Sequence, residues 1–176
     1  MLSPLQLICR DYSKPASRSL SGPTMQIDPI IRACQAADLA TLAKLAQLIW
    51  QQHYPAIISQ AQIDYMLAQR YAVPALQAEI GTAGHWLDGL WLAESMSGFV
   101  NYFLLAAPAV MKLDKLYLHP EWHGKGLGSL LLQYVAARAR QQGCTTLQLA
   151  VNKRNRLAIR AYQRNGFSIV ESMTQD

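Results

Sequence analysis

Three glycines stand at alternate positions in the stretch His123-Gly124-Lys125-Gly126-Leu127-Gly128-Ser129. Glycine at that spacing lets the backbone pass close to a bulky group and present its N–H donors. A hydrophobic strand leads in, Met111 to Leu118, followed by Pro120, and a helix leads out, Gly126 to Gln142. The donors therefore lie at a helix N-terminus, where the macrodipole favours an anion. Strand, glycine loop and helix together make a phosphate site, and Lys125 can add charge to it.

Two nucleotide motifs do not fit. The P-loop requires GxxxxGK[ST], but Lys125 is followed by Gly126, so the hydroxyl that would hold Mg is missing from its place. The dinucleotide fingerprint GxGxxG would start at Gly124 and needs glycine where Ser129 stands. No acidic residue lies about 20 positions on to hold a ribose. What remains is a looser spacing of His123, Gly126 and Gly128.

The elements that must position this loop can be read from periodicity. Ile27 to Ala33 reads as a strand, followed by a helix from Ala36 to Tyr54 with Leu39, Leu42, Leu45, Ala46 and Ile49 at helical spacing. Asp38 sits in its first turn and Pro55 stops it. Ser59 to Tyr71 is a second helix with Ser59 as N-cap, and Pro74 to Ile80 a short third. Leu90 to Glu94 and Gly98 to Leu105 form a hairpin around Ser95-Met96-Ser97, with His85-Trp86 at an edge or in a loop before it. After the glycine-loop helix, which Gly143 ends, Thr146 to Asn152 is a strand. Asn155 caps a last helix to Asn165, Gly166 terminates it, and Phe167 to Glu171 is the final strand.

The chain has 176 residues, half of them hydrophobic, enough for one core and one domain. No apolar run approaches the roughly 20 residues of a membrane span. Residues 1–24 are rich in Ser, Pro and Arg and are expected to be a disordered extension, with the domain at 25–176. Cys9, Cys34 and Cys144 have no metal spacing, and no metal site is expected. An odd cysteine count without a secretory signal suggests a reduced, cytoplasmic protein. From Lys112 onward there are ten Lys/Arg against four Asp/Glu, which suits a polyanionic ligand. No reader motif or aromatic interleaving points to nucleic acid.

The glycine loop resembles the pyrophosphate motif of the GNAT superfamily of acetyl-CoA-dependent N-acetyltransferases, Gln/Arg-x-x-Gly-x-Gly/Ala, which here reads EWHGKGLGSLLL. His123 stands where the family mostly has Gln or Arg. A second block, VNKRNRLAIRAYQRNGF from Val151 to Phe167, resembles the family's strand–helix segment ending in Tyr and Asn-Gly-Phe. The resemblance covers Ile27 to Ser172. It implies a GNAT-like α/β fold, with a mixed, mostly antiparallel sheet flanked by helices, and acetyl-CoA as co-substrate. By the same resemblance, His123, Gly124, Lys125, Gly126, Leu127, Gly128 and Ser129 hold the pyrophosphate. The backbone of Leu116, Tyr117 and Leu118 binds the pantetheine amides, a strand N–H there polarises the thioester carbonyl, and Asn155 contacts the pantetheine arm.

Tyr162 matches the family's proton donor to the departing thiolate. A phenol suits that task because its usual pKa of about 10 lies above that of a thiol. The base that must deprotonate the amine stays open. Asp114 is placed on the face of Leu116 and Leu118, with Glu94 and His119 as weaker options and a water chain as another. The resemblance further implies that the region after the first strand supplies one wall of the acceptor site, with Trp50, His53, Tyr54 and Tyr65 as candidates, each of which also has a plain structural reading as core or helix end.

The segment HYPAIISQAQIDYML is similar to small-molecule and polyamine-type members. The expected reaction is acetyl transfer to a small-molecule primary amine by direct attack in a ternary complex. Peptide or protein N-termini, or CoA binding without turnover, are the alternatives. The family usually adds one more strand beside Thr146–Asn152, and only Ser172 to Asp176 remain here. Three readings follow: a partner supplies the strand, the sheet lacks it, or the chain is truncated. An exposed sheet edge and self-association through it are the expectation.

Overall fold

The computed structural model describes residues 4–10 and 27–172, with side chains to residue 170. A single seven-stranded sheet runs β2 (Ile30–Ala33), β3 (His85–Leu92), β4 (Ser95–Leu104), β5 (Val110–Leu118), β6 (Thr146–Asn152), β1 (Pro4–Cys9), β7 (Ser168–Ser172). Every neighbouring pair is antiparallel except β5 and β6. Parallel strands need a crossover, and the helix α4 (Leu127–Gln141) supplies it. Helices α1 (Leu39–His53), α2 (Gln60–Arg70) and α3 (Val73–Ile80) cover one face of the sheet. On the other face lie α4 and α5 (Arg156–Arg164). The mixed, mostly antiparallel sheet flanked by helices is as expected.

Helix ends follow the local sequence. The Ser59 hydroxyl accepts from the Gln62 N–H, and the Gln62 side chain returns to the Ser59 N–H, closing a capping box. Asn155 accepts from the Ala158 N–H and caps α5, while Gly166, at φ 90°, ends it in the left-handed region.

The N-terminus departs from expectation. Pro4–Cys9 is not a disordered extension but a strand seated between β6 and β7, with Leu7 paired to Leu149 on one side and Ile169 on the other. Leu5, Leu7 and Cys9 alternate, and this face joins the core under α4 and α5. The alternation is short and is followed by a Ser/Pro-rich run, so average composition conceals it. The rest of the expected extension, residues 1–3 and 11–24, lies outside the described residues. The place beside Thr146–Asn152 is thus filled from the other end of the same chain, and the edge expected there is covered. The sheet ends at β2 and β7.

Three smaller boundaries also shift. The hairpin turn is Ala93-Glu94, with Ala93 at φ 52°, and Ser95-Met96-Ser97 belongs to β4. His85 and Trp86 are in β3, paired to Phe103 and Tyr102. The strand expected from Ile27 starts at Ile30.

Candidate active site

The parallel pairing of β5 and β6 is short. It joins Val110–Leu113 to Thr146–Leu149 and then stops. Beyond it the two strands part, leaving 114–118 of β5 without a partner in β6. Backbone amides on that side of β5 are free to bind an extended, amide-bearing ligand.

A bulge decides which side chains face this opening. Leu113 pairs with Tyr102 and Lys115 with Asn101, so Asp114 is an extra residue in β5. Before it, Met111 and Leu113 point to the α4 side; after it, Leu116 and Leu118 do. Lys115 and Tyr117 turn to the α1–α3 side, against the Tyr71 ring. Asp114 therefore does not share a face with Leu116 and Leu118, as simple alternation requires. Its carboxylate pairs with Arg70 of α2 and, at 3.0 Å, with Lys115. Burial alone would raise its pKa, but Lys115 and Arg70 outweigh that and hold it below the usual carboxylate range. A carboxylate so neutralised is a poor proton acceptor.

The glycine loop lies at the end of this opening. Gly124 and Gly126 have φ of 73° and 83°, conformations that favour glycine. Gly126 is the N-cap of α4 and offers no side chain, so the first-turn N–H groups of Leu127, Gly128 and Ser129 keep their donors. These are the elements of an anion cradle. The Lys125 ammonium sits 4.5 Å from the centre of the Trp122 ring, and the His123 ring is 3.1 Å from the Leu118 carbonyl. Leu127 is fully buried, so its backbone alone is open to the loop.

Tyr162 projects from α5 with its ring 5.7 Å from Phe167. Burial, with a further contribution from Tyr54 across the opening, pushes its phenol well up, so it stays protonated near neutral pH. Asn155, at the start of the same helix, is buried.

The opposite wall comes from the end of α1. Trp50 stacks on Tyr54 at 4.2 Å, and the Tyr54 and Tyr117 hydroxyls meet at 3.2 Å. Tyr71 packs edge-on against Tyr117 and Phe99. His53 lies edge-on to Tyr54 at 4.9 Å. Of the four wall candidates, Trp50, His53 and Tyr54 come together here, whereas Tyr65 is exposed on α2. The other base options lie elsewhere: Glu94 is exposed in the β3–β4 turn, and His119 accepts from the Glu121 N–H.

Sequence reasoning missed Arg70, Tyr71, Glu79 and Lys115. Lys115 is buried, with its ammonium 2.6 Å from Glu79. Its charged identity in a strand read as alternating was the available signal that a carboxylate must cover it. Among the described residues no group of three or more His, Cys, Asp or Glu could hold a metal ion. No helix of the described residues is long and apolar enough to cross a membrane.

Comparison with known proteins agrees with this geometry. The sequence profile of the Acetyltransferase (GNAT) family matches residues 42–167. A spermidine N(1)-acetyltransferase of Thermoplasma acidophilum is 29% identical over 150 residues, 83% of this chain and 92% of its own. A crystal structure of an N-acetyltransferase from Thermoplasma acidophilum with coenzyme A superposes with a TM-score of 0.77 at 25% identity, covering 83% of this chain and 93% of that one. An aminoglycoside 6'-N-acetyltransferase from Acinetobacter baumannii shares the fold, with a TM-score of 0.65 at 18% identity over 85% of this chain and 97% of its own. Glycine cradle, parted strands and helix-borne tyrosine thus stand in a chain that belongs to the GNAT family and is an acetyl-CoA-dependent N-acetyltransferase.

Proposed function

We propose that the acceptor is the primary amine of a small molecule, acetylated by direct attack in a ternary complex. One observation carries this reading: the acceptor side of the parted strands is closed by the packed rings of Trp50, Tyr54, Tyr71 and Tyr117. An apolar, enclosed wall suits a compact amine better than an extended peptide backbone, which needs hydrogen-bonding partners along its length. The relative named for spermidine makes polyamines the first acceptors to try.

In this reading the loop from His123 to Ser129 binds the pyrophosphate through main-chain N–H groups, and Lys125 adds charge. The backbone of Leu116 to Leu118 holds the pantetheine, with Asn155 against the same arm. A strand N–H stabilises the oxyanion, and Tyr162 returns a proton to the thiolate. A cytoplasmic setting goes with it, supported by the buried free thiols of Cys34 and Cys144.

Calorimetry with acetyl-CoA, followed by thiol release over a panel of polyamines, monoamines and peptides with free N-termini, tests the proposal. Micromolar acetyl-CoA binding with turnover of the small amines is the expected result. Preferred turnover of the peptides would overturn the acceptor assignment. Binding without thiol release on any amine would make the chain a CoA-binding module instead.

A further inference from the structure

The side of the sheet that carries the acceptor wall also carries an uneven set of charges. Arg70 ends α2, Lys112 and Lys115 stand on β5, and the carboxylates they meet are those of Asp114 and Glu79. We propose that Arg70 receives a carboxylate of the acceptor, so that the substrate is a small ω-amino acid, with a primary amine at one end and a carboxylate several bonds away. This rests on the small-molecule reading above and narrows it.

Asp114 does not need Arg70 for its charge balance. The wholly buried Lys115 already places its ammonium 3.0 Å from Asp114 and 2.6 Å from Glu79. The second Glu79 oxygen accepts from the Asn101 amide at 3.2 Å. Lys112 approaches the second Asp114 oxygen at 3.9 Å. Three cations thus share two carboxylates. Arg70 donates to Asp114 from Nη2, while its Nε and Nη1 have no partner among the described residues, and 36% of the side chain is exposed. A guanidinium pinned at one nitrogen, with an open N–H edge, is set to take a second carboxylate, because its flat fork matches two carboxylate oxygens. A ligand carboxylate there brings the cluster to three charges of each sign.

This edge adjoins the acceptor wall. Tyr71, the next residue of the chain, packs its ring 5.5 Å from Trp50 and 6.1 Å from Tyr117. Asp114, which holds Arg70, is the first residue of β5 beyond the stretch paired with β6. Tyr117 follows three positions later, roughly 10 Å of strand, with its hydroxyl 3.2 Å from that of Tyr54. A substrate laid along this stretch has its carboxylate at Arg70 and its amine beside the phenols, next to the backbone assigned to the pantetheine. The span suits a chain of several methylenes and not an α-amino acid, whose two charged groups share one carbon. A polyamine would bring a second ammonium to the surplus cations, and like charges repel. Asp114 and Glu79 are each already held by a cation, so neither is free to receive it.

The test is thiol release from acetyl-CoA with δ-aminovalerate, its amide, n-pentylamine and spermidine as acceptors. In the wild type, kcat/KM for δ-aminovalerate should exceed that for the amide and for n-pentylamine by roughly 10- to 100-fold, with the difference in KM. Arg70→Gln should raise the KM for δ-aminovalerate by a similar factor, and leave n-pentylamine kinetics and acetyl-CoA affinity within about twofold of wild type. Arg70→Lys keeps the charge without the fork and should retain part of the preference. Equal kcat/KM for the four amines in the wild type, or a preference for spermidine, overturns the inference and leaves the small-molecule reading standing. This comparison needs no variant, so it holds even where Arg70→Gln fails to fold. An Arg70→Gln enzyme that loses rate on every amine alike overturns it too, and makes Arg70 a structural partner of Asp114. Preferred turnover of peptides with free N-termini, or acetyl-CoA binding without thiol release on any amine, overturns both readings.

Discussion

Leu7 lies opposite Leu149 in the pairing of β1 with β6, so Pro4–Cys9 form an inner strand of the sheet. Leu7 is fully buried, and β7 is attached to the sheet only through β1. Leu7→Ala should therefore cost about 3 kcal/mol, in the range of buried leucine truncations. For a domain of this size, thermal melting should show a drop of roughly 6–12 °C. A chain started at Met25 should lose far more and aggregate through the uncovered strands. An unchanged melting temperature in both would mean that β1 does not belong to the folded sheet.

Gly98 allows β4 and β5 to lie close at Leu118, at the far end of the parted stretch of β5. A Cβ there would meet the Leu118 Cδ2 and the Tyr117 carbonyl, both at 2.7 Å. The leucine end can move, but the backbone oxygen can do so only by shifting β5. Gly98→Ala should accordingly weaken acetyl-CoA binding, by about tenfold for each 1.4 kcal/mol of displacement cost. Calorimetry on the variant reads this directly, and wild-type affinity would show that β5 tolerates the shift.

Lys115 is buried between Glu79, at 2.6 Å, and Asp114, at 3.0 Å. Replacing it with Met leaves two partly buried carboxylates facing each other without their shared cation. Removal of one partner from such a cluster costs about 3 kcal/mol. Denaturant unfolding of Lys115→Met should show that loss, and the double variant with Glu79→Gln should regain part of it.

The same cluster sets an acid dependence. The folded pKa of Asp114 is below its ordinary value of 3.8 because Lys115 and Arg70 outweigh its burial. A depressed carboxylate stabilises the fold above the unfolded pKa and loses that contribution as pH falls through the folded one. Stability measured from pH 5 downward should therefore fall less steeply in Asp114→Asn than in wild type. Equal slopes would remove Asp114 from the acid response.

Tyr162→Phe keeps the ring against Phe167 and removes only the hydroxyl. It should lower kcat by roughly 10²-fold or more, typical of a lost general acid, while acetyl-CoA affinity is retained. Because burial raises the phenol, no alkaline decline from Tyr162 should appear below pH 10 in the wild type. An undiminished kcat would assign the proton to another donor.

What the sequence alone determined is local. Alternate glycines before an apolar helix specify an anion cradle, because positive φ and free first-turn amides depend only on neighbouring residues. The caps at Ser59 and Asn155 and the stops at Gly143 and Gly166 were legible for the same reason. Tertiary structure decided the rest. One extra residue at Asp114 reverses every later side chain of β5, and the register with β4 that reveals it joins residues far apart in the chain. The β1 strand is recognisable only beside β6 and β7, which bury its alternating face.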